Sequence, residues 1–119
     1  MWVYTHPDCL QHDPGPGHPE SPARLSAVTS ALHQALPQLR WLEAPLATRT
    51  QIARVHDRGL VASVLDTVTT TPMRLDPDTV LCPDSAQAAL RACGAGIAAV
   101  DAVLGDRTRQ AFCAVRPPG

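Results

Sequence analysis

The sequence predicts an α/β layered fold with a mostly parallel sheet. Three observations carry that expectation. Short β-prone runs alternate with helical stretches along the chain. The last of those runs, Ala111-Phe112-Cys113-Ala114-Val115, is continuously apolar, which suits a strand covered on both faces. The stretch from Ser85 to Gly105 reads as a long Ala-rich helix, apolar around most of its girth, which suits an element pressed between layers.

Taken in order, Trp2-Val3-Tyr4-Thr5 predicts an edge or first strand. His6 through Pro22 holds five prolines and two glycines and predicts a long loop with fixed turns. Ser21 then stands as an N-cap with Pro22 at the first helical position, where its missing N–H costs nothing. Leu25, Val28, Leu32 and Leu36 recur at helical spacing until Pro37 stops the helix. Arg40-Trp41-Leu42-Glu43 predicts a second short strand. Thr48 or Thr50 caps a short helix ending at Ile52, and Asp57 caps another that carries Leu60, Val61, Val64, Leu65 and Val68. The polar stretch Thr69 to Asp84, with three prolines, predicts a loop. Ser85 caps the long helix, which runs to about Leu104 and stops at Gly105. Neither a repeat nor a linker divides the chain.

Composition narrows the function classes. Hydrophobic residues make up 45% but aromatic residues only 3%, so the core is built from Ala, Val, Leu and Ile. The formal net charge is −1 and all ten basic residues are arginine. No basic stripe offers a nucleic-acid footprint. No apolar run is expected to span a bilayer, and the first residues lack the sections of a signal peptide, so cytoplasmic residence is expected. Cys9, Cys82, Cys93 and Cys113 form no CxxC pair and read as reduced, mostly buried thiols. Neither a GxGxxG nor a P-loop pattern occurs, which discounts a nucleotide-binding half-domain.

Ligands of open α/β sheets bind beyond the carboxyl ends of the strands. The apolar run at 111–115 points Arg116-Pro117-Pro118-Gly119 toward such a place. By itself that tetrapeptide is an ordinary surface turn. Three blocks together say more. The first is His6-Pro7-Asp8-Cys9-Leu10, His12-Asp13-Pro14-Gly15 and His18-Pro19-Glu20-Ser21-Pro22-Ala23-Arg24-Leu25. The second is Leu75-Asp76-Pro77-Asp78-Thr79 followed by the Ala-rich helix, and the third is 111–119; Val55-His56 lies between the first two. In this order and spacing they resemble the opening of histone deacetylase family proteins, especially the class II branch and bacterial relatives such as acetylpolyamine amidohydrolases.

The resemblance implies the N-terminal part of an arginase/deacetylase-like three-layer fold and hydrolysis of an N-acetyl amide, in acetyl-lysine or an acetylated polyamine. It implies that residues 1–119 are one incomplete domain, ending before the family's catalytic histidine pair. The family's zinc ligands (Asp, His and Asp) and its oxyanion-stabilising tyrosine come later still. Zinc is thus expected in the full-length family enzyme and none on this chain, which is expected to be inactive alone. By the same resemblance, Asp78 is a rim carboxylate that accepts N–H donors from substrate. Tyr4, Arg24 and Gly119 line the active-site interior or a channel for departing acetate, and His18, Pro19 and Glu20 shape the entrance loop. No catalytic or metal-binding residue is assigned.

Plainer readings stand beside these. Arg24 can pair with Glu20 four residues back on the helix surface. Tyr4 can be a core strand residue, and Asp78 a turn carboxylate. His6, Cys9, His12 and His18 are competent metal donors, but their spacing matches no common zinc pattern, and a loop held by hydrogen bonds and prolines is the plainer account. A non-catalytic module that binds a partner or a metal through the 6–20 loop is the alternative function.

Overall fold

A computed structural model describes residues 1–118. Three parallel strands form the central sheet: β1 (Trp2–Thr5), β2 (Arg40–Glu43) and β5 (Ala111–Cys113), in the order β2-β1-β5. Trp2, Val3 and Tyr4 face Arg40, Trp41 and Leu42 on one side and Ala111, Phe112 and Cys113 on the other. The first strand is therefore central, not an edge. It is followed by connections long enough to return each partner in parallel, which antiparallel hairpins would not need.

Strand alternation divides the core into two layers. Val3 packs with Cys9, Leu25 and Ala114, beneath α1 (Asp8–Gln11) and α2 (Pro22–Ala35). Tyr4 points the other way and packs with Ala44, Ala95 and Ala99, beneath α5 (Ser85–Leu104). The result is helix, sheet, helix, the three-layer arrangement expected. Two short helices, α3 (Arg49–Ile52) and α4 (Arg58–Leu65), connect β2 to a two-stranded antiparallel hairpin of β3 (Met73–Asp76) and β4 (Thr79–Leu81).

Local signals explain most helix starts. Ser21 precedes Pro22 at the start of α2, though its hydroxyl makes no cap bond. Thr48 makes a full capping box with Gln51, and the Asp57 carboxylate accepts from the N–H groups of Gly59 and Leu60. At α5 the cap position is Asp84, and Ser85 is already the first helical residue. Its hydroxyl turns inward instead, as described below.

Four expectations are corrected. The loop 6–22 contains the helical turn α1, set by the His6 carbonyl accepting from the Cys9 N–H. The stretch 69–84 is not all loop, because Asp76-Pro77-Asp78-Thr79 closes the β3–β4 hairpin. The last strand is half covered: Phe112 is 41% exposed, since β5 is an outer strand of this sheet. Finally, α5 at 20 residues is long and apolar enough to cross a bilayer by length and composition. Here Ala88, Gly94, Ala95, Ala99 and Ala102 are buried on one face, while Val100, Val103 and Leu104 are exposed, so the helix is not sandwiched along its whole length. Gly94 permits the close approach. A Cβ there would lie 1.9 Å from the Pro45 carbonyl oxygen.

Candidate functional site

A cleft of about 460 Å³ opens beyond the carboxyl ends of the parallel strands. Its floor and walls are apolar: Ile52 from α3, Leu60, Val61, Val64 and Leu65 from α4, and Ala89, Ala92 and Cys93 from α5. Val115, Pro117 and Pro118 close one side, and Leu75, Asp78 and Thr79 of the hairpin stand at another. His12, His18, Glu20, His56 and Ser85 supply the remaining polar groups. Pro117 and Pro118 thus border one space with Asp78, 39 and 40 positions away in sequence. A cleft of mainly apolar lining with a few placed polar groups is the usual form of a small-molecule or side-chain pocket.

One arginine organises the entrance. Arg116 is completely buried. Its Nε donates to both Glu20 carboxylate oxygens at 2.8 and 2.9 Å, and its Nη2 donates to Glu20 Oε2 at 2.6 Å and to the Glu20 carbonyl at 3.2 Å. Nη1 donates to the carbonyls of Cys9 at 3.0 Å and His12 at 2.7 Å. The loop from residue 9 to residue 20 is therefore wrapped around a guanidinium delivered by the other end of the chain. Burial works to raise the Glu20 pKa, but hydrogen bonds from Arg116 and Arg24 outweigh it and hold the carboxyl below its ordinary value. The Arg116–Pro117 peptide bond is cis.

A second buried group lies beside it. His12 Nδ1 is 2.8 Å from Ser85 Oγ, and that hydroxyl accepts from the Cys82 N–H at 2.7 Å. Burial, and then the nearby Arg116 charge, lowers the His12 pKa and favours the neutral ring. On the adjoining side, Arg91 of α5 donates to Asp8 at 2.8 Å and to the Ala44 carbonyl at 2.9 Å, tying α5 to α1 and to the connection after β2. That bond is the main reason the Asp8 carboxyl is held low. Burial pushes the Cys9 thiol up.

The predicted site residues separate into two sets. Asp78, His18 and Glu20 border the cleft together. Pro19 lies in the same loop without lining the cleft. Arg24 is on the outer surface of α2 with a 44% exposed side chain, paired with Glu20 at 2.7 Å. Among the described residues helix periodicity turns Arg24 outward over Glu20, and Arg116 is the arginine that is buried. Tyr4 does not line the cleft either; it is buried under α5, with its hydroxyl donating to the Ala98 carbonyl at 3.3 Å. Gly119 lies outside the described residues. From the sequence, Arg116 had no site role of its own, Ser85 stood only as the cap of α5 and His12 only as a metal donor. An arginine directly after an apolar strand was the available signal for the first, since a charge so placed needs a buried partner.

The donors of the 6–20 loop do not gather into a metal site. His6 Nδ1 accepts from the Asp8 N–H, His18 Nδ1 accepts from the Glu20 N–H, and His12 faces Ser85. Among the described residues no group of three His, Cys, Asp or Glu side chains is placed to hold a metal ion. These residues therefore do not fit a zinc centre. All four cysteines are free; Cys9 and Cys82 are buried, while Cys93 and Cys113 are half-buried.

The sequence matches the histone deacetylase domain over residues 18–119. The chain belongs to the histone deacetylase family. It is 34% identical over 115 residues to an uncharacterized protein of Synechocystis sp., a match covering 92% of this chain and 38% of that protein. Among solved structures it is similar to the HDA15 HD domain, with a TM-score of 0.92 and 28% identity over 100% of this chain and 37% of that one. The chain thus spans less than two fifths of the length of either relative. The fold is the deacetylase-like α/β fold with a parallel sheet, and the resemblance drawn from the three sequence blocks holds over the region they occupy.

Proposed function

We propose that this chain is the N-terminal segment of a zinc-dependent deacetylase that hydrolyses an N-acetyl amide, in acetyl-lysine or an acetylated polyamine. The reading rests on family membership and on one observation: Asp78 and the Pro117-Pro118 tail border the same apolar cleft. An apolar tunnel wall suits the methylene stem of an acylated amine, and a rim carboxylate suits its N–H groups, since a carboxylate can accept two donors at once. In this reading the α4 and α5 side chains exclude water from the stem, and Asp78 orients the substrate at the mouth.

Zinc would supply the Lewis acid that activates water and polarises the amide carbonyl. The residues described do not fit that centre, so no chemical step is assigned to them. We accordingly propose that the 119-residue chain alone does not turn over substrate. Its four free thiols suit a reducing compartment, and cytoplasmic residence belongs to the same proposal.

The test is to read the coding DNA beyond Gly119, express the complete reading frame, and measure acetate release from an acetyl-lysine peptide and from N-acetylputrescine. Chelator-sensitive release by the complete protein is expected, with none from the 119-residue chain. Release by the short chain, or none by a complete, folded, zinc-loaded protein, overturns the proposal.

A further inference from the structure

We propose that Arg116, Glu20 and His18 form a positioning relay that fixes the hairpin turn bearing Asp78 against the tail of the cleft, and so sets substrate affinity. The inference rests on the deacetylase reading for its affinity readout, but not for its geometry.

The relay has three links. Arg116 is fully buried and fixes both the carboxylate and the carbonyl of Glu20. The Glu20 N–H donates to His18 Nδ1 at 3.1 Å. His18 Nε2 lies 3.1 Å from the carbonyl oxygen of Asp78. A carbonyl only accepts, so Nε2 carries the proton; Nδ1 already accepts a backbone N–H, so it carries none. The two contacts select a single neutral tautomer, with one ring nitrogen facing the loop and the other facing the hairpin.

The hairpin needs such a tether. Val80 and Leu81 of β4 are buried and anchor its base, but all four residues of β3 are exposed, and within the turn Asp76 accepts from the Asp78 N–H and Arg74 donates to the Pro77 carbonyl. Those bonds shape the turn but do not fix where it stands over the cleft. The buried base of β4 and the His18 bond do so together, and the His18 bond, crossing 60 positions of sequence, is the one that reaches the turn itself. Because the relay begins at the residue just before Pro117, it couples the tail of the cleft to the rim. Arg116, Glu20 and His18 touch no reacting atom in this account; they act through the placement of Asp78.

Two substitutions separate the links. In His18→Gln the amide nitrogen reaches the place of Nε2 and can still donate to the Asp78 carbonyl. In His18→Asn the amide oxygen replaces Nδ1, so the loop bond survives and the hairpin bond is lost. In the complete protein, H18N is expected to raise KM about fivefold with kcat unchanged, the cost of one net hydrogen bond. H18Q, which keeps the hairpin bond but gives up the bond to the Glu20 N–H, is expected to raise KM only about twofold. Equal KM values for the two variants, or a fall in kcat with KM unchanged, overturn the relay.

If the complete protein releases no acetate, the deacetylase reading has failed, and the relay is judged on the 119-residue chain by magnetic resonance. Long-range ¹⁵N spectra of the histidine rings should show His18 protonated at Nε2 only. Amide exchange around Asp78 and Thr79 should accelerate in H18N and clearly less in H18Q. The opposite tautomer, or unchanged exchange in H18N, overturns the relay in that case.

Discussion

Replacing Glu20 with alanine should destabilise the fold more than any other single change in the entrance loop. Arg116 has no exposed surface, and among the described residues Glu20 is its only carboxylate partner, with a side chain just 18% exposed. Removing one member of a buried pair leaves a desolvated charge, at a cost of about 3–5 kcal/mol. Three carbonyls, of Cys9, His12 and Glu20, would still accept from the guanidinium, which places the expected loss near the lower end, about 3 kcal/mol. That is a large part of the roughly 5–15 kcal/mol that holds a domain together. At about 4 °C per kcal/mol for a chain of this size, the melting point should fall by about 12 °C. Urea titration of the parent and the E20A variant at pH 6 measures it. The pH dependence supplies a second check. The folded Glu20 pKa is depressed, so the stability it contributes is complete above the unfolded value of about 4.3 and is lost as pH falls through the folded one. The gap between parent and variant should therefore be full at pH 6 and narrow on acidification below about pH 4. A loss under about 0.5 kcal/mol at pH 6, the range of an ordinary surface change, would refute the claim that this pair holds the loop.

Two further outcomes follow from the packing. His12 has a lowered folded pKa, so its contribution is complete above about 6.5 and declines as pH falls below that; the H12Q variant should flatten the urea midpoint between about pH 7 and 5, and an unchanged slope would count against the buried neutral ring. Gly94→Ala should cost about 3 kcal/mol, because its Cβ would collide with the backbone at Pro45, whereas Gly96→Ala meets open space and should gain about 0.5–1 kcal/mol; equal melting points for the two would contradict the helix–loop approach.

Much of the fold was legible locally. Thr48 or Thr50 before α3, of which the structure selects Thr48, and Asp57 before α4 announced their helices because capping is an interaction between near neighbours. The β-prone run Trp2–Thr5 is a strand as expected, and Gly105 ended α5 where expected. The hairpin at 73–81 was missed because its strands hold only four and three residues, and prolines at 72, 77 and 83 spoke for a loop. The helical turn α1 was hidden by the prolines around it.

At the cleft, proximity was the missing information. Asp78, His18 and Glu20, which border the cleft, could be named only through the family resemblance. Which of Arg24 and Arg116 would be buried could not. Both follow plausible signals, and only the return of β5 beside β1 brings Arg116 under the loop.

The sequence by itself determined the layered α/β class, most of the helices and the family, because those depend on neighbours a few residues apart and on the order of motifs. The tertiary structure alone decided that Arg116 is the buried arginine, that Tyr4 belongs to the core, and that the tail and the hairpin face one cleft. The physical reason is that a charge or hydroxyl is assigned its role by what desolvates it. For these residues the desolvating partners lie up to 107 positions away along the chain.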